Sequence, residues 1–352
     1  MRTIFLAALL IAILPSFAFA ATADTPAPPR LDHVSDAAGL LAAVAKQGGN
    51  RTILLDPGTY ELTAILRFEK VNHVSLLGTG WNTVIVKRGP GPAIEFVDAS
   101  FCIVRDLMFV GYDKADAAII YRGQSSSCTI DHCRMALFAR SGVRYEGVPD
   151  RPMSSNTVRD CQFIRNAEAQ LYSLCNNDFY ITGNQFGTDG DAPKYGAQLV
   201  RSSAGNYSAN YHWGNTVALQ LGPGSNFNRI ENNRLEESLH EALIIGSPDP
   251  SPGWDGYSTL NIILGNTFHT NSKAEKGRYS VVVAYDATDT TFCANQVFSW
   301  DSGTVRHRSA LELLRGCSSW IVKDNIFRHH MGPALVFDHA AGHLVRDNIG
   351  AD

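Results

Sequence analysis

The sequence predicts an all-β chain wound as a parallel solenoid, and three observations carry that reading. Short apolar segments recur along the chain in two alignable registers. Most of them alternate with a period of two. The tightest complete repeats, Cys161 to Asn184 and Asn325 to Asn348, are 23 residues long. Alternation in such short pieces marks strands rather than helices. A repeat of this size suits one coil of three short strands, about 10–11 coils in all.

The first register is anchored by a column: Leu107, Cys133, Cys161, then Asn184, Asn210, Asn233, Asn266, Asn295, Asn325 and Asn348. An apolar residue lies three positions before most of these and another two positions after. Asparagine tolerates the left-handed backbone of a sharp bend, and stacked side-chain amides hydrogen-bond from coil to coil. These asparagines are therefore read as scaffold rather than chemistry. The second register runs "AIEF", "AIIY", "GVRY", "AQLY", "AQLV", "ALQL", "ALII", "VVVA", "ALEL", "ALVF". Insertions fall beside it at Gly187–Gly196, Gly246–Ser258, His269–Tyr279 and Phe298–Ser309. Insertions gathered on one face of a repeat fold are where function is usually kept.

The ends read differently. "SDAAGLLAAVAKQGG" has Ser35 as N-cap, helical apolar spacing and Gly48–Gly49 as a stop, which predicts a helix over the open N-terminal end. Residues 1–20, with Arg2, an apolar run and "AFA" at Ala18–Ala20, read as a secretory signal peptide. The expected organisation is residues 1–20 as signal, 21–50 as N-terminal segment and capping helix, and 51–352 as solenoid. Signal cleavage would leave a secreted or periplasmic protein with no membrane span. The bare C-terminal coil hints at a homo-oligomer.

Composition narrows the partners. A formal charge of −4 over 352 residues lacks the basic surplus of a nucleic-acid binder. Seven cysteines show no Cys-x-x-Cys spacing, and no His-Glu-x-x-His occurs, so no metal centre or cofactor is expected. Calcium stays open through Asp189, Asp191 and Asp286, which lack diagnostic spacing. Cys102, Cys128, Cys133 and Cys161 suit either disulfides between stacked coils or small buried thiols.

With these features the chain resembles the pectate-lyase-like superfamily of right-handed parallel β-helices. The carriers are "ILLDPGTYELT" from Ile53, "VSLLGTG" from Val74, the asparagine column, and "CTIDHCRM" at Cys128–Met135. The resemblance covers nearly all of the mature chain. It lacks the Asn-Thr-Asp, Asp-Asp, Gly-His-Gly and Arg-Ile-Lys motifs of polygalacturonases. The Arg-x-Pro-x-x-Arg motif of pectate lyases and the Asp-Pro-His-Asp motif of alginate epimerases are also missing. It therefore implies a fold and a polysaccharide or oligosaccharide partner, and transfers no residue role.

In that superfamily the carbohydrate lies along one sheet, here the second register. Just before it stand Lys194–Tyr195, His240–Glu241, Arg278–Tyr279 and Arg306–His307–Arg308 on nearby coils. At a coil spacing of about 4.8 Å these would gather along one lip. Lysis of a uronate glycan by β-elimination needs a base and cations against the carboxylate. His240, Tyr195 or Lys194 would supply the base, and Arg278, Arg306 and Arg308 the cations. Hydrolysis needs paired carboxylates: Glu237 or Glu241 with Asp286, Asp301 or Glu312. Trp254 and Tyr257 would stack sugar rings. Each has a plainer reading: turn carboxylates in water, a turn histidine, loop lysines and arginines, a Trp folded on the wall. The expectation is a lyase of an anionic glycan. A glycoside hydrolase or transferase, and an inert glycan-binding β-helix, are the alternatives.

Overall fold

Each coil of the chain turns three times at corners that carry polar ladders, and the coils stack into three long parallel sheets. The computed structural model describes residues 30–249, 256–300, 303, 305–338 and 342–351. Among these residues the first sheet has 13 strands, from Arg30–Val34 to Leu344–Arg346, and precedes the asparagine corner. The second has 11, from Gly58–Leu62 to Ile326–Phe327, and follows that corner. The third has 11, from Leu66–Glu69 to Leu335–Phe337, and contains every segment of the second register. This is a right-handed parallel β-helix. Among the described residues no helix is long and apolar enough to cross a membrane.

Stacking dictates the interior. Inward positions form columns one strand spacing apart, so like side chains meet. Phe68, Phe96, Tyr121 and Tyr145 stack ring on ring with centroids 4.9–5.0 Å apart, close to the parallel-strand spacing. At the first corner Asn210 donates its backbone N–H and its side-chain N–H to Asn233 Oδ1 at 2.9 and 3.1 Å. The same pair of bonds repeats from Asn184 through to Asn348. Cys161 carries the column one coil further, its thiol accepting from Cys133 N–H. The cysteines are free thiols, so the small-core-residue alternative holds for Cys102, Cys128, Cys133 and Cys161.

Three local expectations are corrected. The N-cap is Asp36 rather than Ser35: its carboxylate accepts from Gly39 N–H at 2.7 Å, which a residue one position earlier is not placed to do. The helix Ala37–Ala45 buries Leu40, Ala43 and Val44 over the end of the tube. Solenoid pairing begins at Arg30–Val34, parallel to Arg51–Leu55, and not at Arg51. Finally, "AQLY" and "AQLV" each sit one residue out of register. Val143 pairs with Leu171, Leu171 with Ala197, and Ala197 with Leu219. A one-residue slip exchanges inner and outer faces, and it changes which side chains reach the groove.

Candidate functional site

The true register lines up an outward column on the third sheet: Arg67, Glu95, Ile120, Arg144, Tyr172, Gln198, Gln220, Ile244, Val283 and Glu312. Its middle forms the floor of a cleft of about 570 Å³. Arg144, Tyr172, Gln198 and Gln220 lie along the floor, Arg140, Glu168, Lys194 and Tyr195 on one wall, and Ser247–Asp249 on the other.

The floor is fixed by its own contacts. Arg144 is buried, with Nε on Glu146 at 3.0 Å and Nη1 on Ser141 at 3.1 Å, and its guanidinium lies 4.3 Å over the Tyr172 ring. Glu146 also takes Arg122, which reaches Glu95, which in turn takes Arg67. Charges thus alternate along the first half of the sheet and hold each arginine in one rotamer. Gln198 donates to Gln220 at 2.8 Å. Lys194 Nζ sits 5.4 Å from the Tyr195 ring centroid.

A second group continues the same face toward the C-terminus. Arg308 forks onto the buried Glu312 at 2.7 and 2.5 Å, and Ser280 Oγ donates to Glu312 at 2.6 Å. Burial raises the Glu241 carboxyl above its usual range; the neighbouring Glu312 adds to this and Arg308 opposes it. Burial also raises the Tyr195 phenol, with Glu241 adding to it. Tyr285 is raised by burial, then by Glu241 and Glu312. Tyr195, Glu241, Tyr285, Arg308 and Glu312 therefore feel one another across neighbouring coils. At the lip, the His240 ring stacks on Tyr279 with centroids 4.0 Å apart. Burial, then Arg278, lowers its pKa.

The remaining candidates are placed elsewhere. Glu237 stays at the end of the second sheet beside Lys273, 3.3 Å away. The stretch Glu236 to Glu241 rounds the corner between the second and third sheets, and its acids do not share a face. His307 is fully buried, so the expectation that it touches ligand on the surface is corrected: alternation turns it inward between Arg306 and Arg308. Arg306 is exposed and donates to Lys273 O. Arg278 pairs with Glu275 at 2.6 Å. Asp286 lies at the corner leading to the first sheet and is held by Arg315 at 2.6 Å. Tyr257 is exposed just before the short strand Ser258–Thr259. Trp254 and Asp301 lie outside the described residues. Sequence reasoning missed Arg140, Arg144, Tyr172, Gln198 and Gln220, which the corrected register exposes.

Residues 83–296 match the family described as periplasmic copper-binding protein (NosD). No curated protein sequence matches the chain. Among solved structures, the mannuronan C-5 epimerase AlgE6 A-module of Azotobacter vinelandii is similar at 15% identity and TM-score 0.61, covering 88% of this chain and 94% of that one. An alginate lyase from Paenibacillus is similar at 14% identity and TM-score 0.61, covering 77% and 98%. The DFA-IIIase of Arthrobacter chlorophenolicus is similar at 12% identity and TM-score 0.58, covering 85% and 88%. At these identities the likeness is one of fold, and it is the fold expected from the sequence.

Proposed function

The chain belongs to the family of periplasmic copper-binding proteins (NosD), and on that premise we propose that it is an exported, periplasmic enzyme that processes an anionic, uronate-containing polysaccharide. The observation that carries this reading is the cleft on the third sheet, where Arg140, Arg144 and Lys194 surround Tyr172 and Tyr195. A guanidinium fork fits a carboxylate in two-pronged fashion, and an aromatic floor fits the apolar face of a pyranose. Similarity to an alginate lyase and a mannuronan epimerase gives the same substrate class support from outside the chain.

The copper in the family's description finds a poor match here. Among the described residues no three His, Cys, Asp or Glu side chains group as they would to hold a metal ion. Buried thiols such as Cys128, Cys133 and Cys161 lie against backbone carbonyls of the core.

The reaction we favour is β-elimination. A base takes the sugar C5 proton, the electrons form the C4–C5 double bond, and the glycosidic oxygen leaves from C4 with a proton. Lys194 and Arg278 stabilise the reacting sugar's carboxylate as negative charge builds on it, and Arg144, four coils from His240, holds a uronate further along the chain. His240, kept neutral by burial and by Arg278, suits the base. Tyr195, kept protonated by burial and Glu241, suits the proton donor. The raised carboxyl of Glu241 favours a second reading, hydrolysis, since that reaction pairs an acid able to protonate the leaving oxygen with a second carboxylate.

Incubation with a panel of polyuronates separates the two. Unsaturated ends absorbing in the ultraviolet mean elimination, abolished by Tyr195→Phe and His240→Ala. New reducing ends without that absorbance, abolished by Glu241→Gln, mean hydrolysis. Elimination activity should fall only on acidification below the ordinary imidazole range, because His240 takes up its proton late. Neither product from any polyuronate would overturn the proposal.

A further inference from the structure

The outer face of the second sheet holds a cluster that the cleft does not use. Trp213, Glu236, His269 and Phe298 stand in register on four successive strands. Tyr211 and Trp300 flank them: Tyr211 stacks on Trp213 at 5.0 Å, and Trp300 meets His269 edge-on at 5.3 Å. Trp300 is 68% exposed, the highest value among the large apolar side chains of the described residues. Strand spacing makes this row about 14 Å long.

Trp213 is the telling residue. A Cβ built on Gly187, its neighbour on the preceding coil, would lie 1.9–2.3 Å from three atoms of the indole. The ring therefore lies flat across the sheet where only glycine leaves room, with its far face turned outward. Its Nε1 donates to Thr188 O at 3.1 Å, which fixes the rotamer. Such a flat aromatic surface, ordered in advance, costs little entropy when a ligand stacks on it.

The polar groups beneath are committed. Glu236 is buried and accepts from Tyr211 Oη, from Arg234 Nε at 2.7 Å and from His269 Nε2. A carboxylate so occupied is not available as a nucleophile or base, which points to binding rather than catalysis. Arg234, 54% exposed and lying 5.2 Å over Tyr211, keeps N–H donors toward solvent. One cation balanced by one carboxylate gives no pull on an anion.

We infer that this face is a carbohydrate-binding surface that takes a pyranose chain through its ring faces, with Trp213 and Trp300 as platforms and Arg234 as hydroxyl partner. It lies on a different sheet from the cleft and does not rest on the cleft's assignment. The test is migration of the full-length protein in native gels containing hydroxyethylcellulose, xylan, galactomannan or alginate. At least one neutral glycan should retard the wild type, unaffected by added salt. Trp213→Ala with Trp300→Ala should weaken that retardation about tenfold, Trp300→Ala alone should weaken it in part, and Arg144→Ala in the cleft should leave it intact. No retardation in any gel, retardation that survives both tryptophan substitutions, or retardation lost with Arg144→Ala would overturn the inference.

Discussion

Arg144 shows how an outward strand residue becomes a fixed donor. Its neighbours in register, Ile120 and Tyr172, confine the stem, while Glu146 and Glu168 take its nitrogens. An exposed arginine would lose side-chain entropy on meeting a carboxylate; this one has lost it on folding. Arg144→Ala should raise the dissociation constant for an acidic oligosaccharide about tenfold. Arg144→Lys should restore little, because a single ammonium cannot span Glu146 and Ser141 while facing the ligand. Isothermal titration would check both, and a lysine variant with wild-type affinity would count against the cleft. Arg144 was legible in the sequence as a charged residue inside an apolar run. Its place on the floor was not, because that depends on which residue of the next coil it meets.

At the scale of elements, the asparagine corner carries the most cooperative hydrogen bonding. Asn233 Oδ1 accepts twice from Asn210, and its Nδ2 donates to Tyr207 O and Asn266 Oδ1. All of these groups are buried. Asn233→Ala leaves the Asn210 backbone N–H without an acceptor, so a loss of roughly 3 kcal/mol is expected, read as a shift in the denaturation midpoint. A shift within about 0.5 kcal/mol would mean that the ladder is ornamental. This column was readable directly, since one residue type recurring at one position is visible without knowing the pairing. Parallel ladders at Asn228–Asn261 and Ser238–Asn271 form no such visible column, because other residue types interrupt them.

For the whole molecule, stacking places ionisable groups in an interior built for apolar ones. His212 lies in the column between Phe186 and Leu235, bonded to Tyr207 at 2.5 Å. Burial holds its pKa down at about 3. His307 is likewise lowered, to about 4, by burial and then by His330 and His329. Unfolded imidazoles take up protons from about pH 6.5 downward, while these two stay neutral in the fold. Their contribution to stability is therefore complete above that pH and is lost as pH falls toward 4 and then 3, on the order of 5 kcal/mol for His212. The thermal midpoint should drop steadily below about pH 6.5, and less steeply in His307→Phe. A midpoint that ignores pH across this range would contradict the burial argument.

The sequence by itself determined the tube: its coil length, its three strands per coil, its asparagine corner and the sheet that floors the cleft. Periodicity and composition are local properties, and they survive without knowledge of contacts. What only the tertiary structure decided was phase. Register along the third sheet chose Arg144, Tyr172 and Gln198 for the cleft, turned His307 inward, and parted Glu236 from Glu241 around a corner. One residue of slip reverses a strand's faces, and the energy that forbids the slip lies in the neighbouring coil rather than in the strand itself.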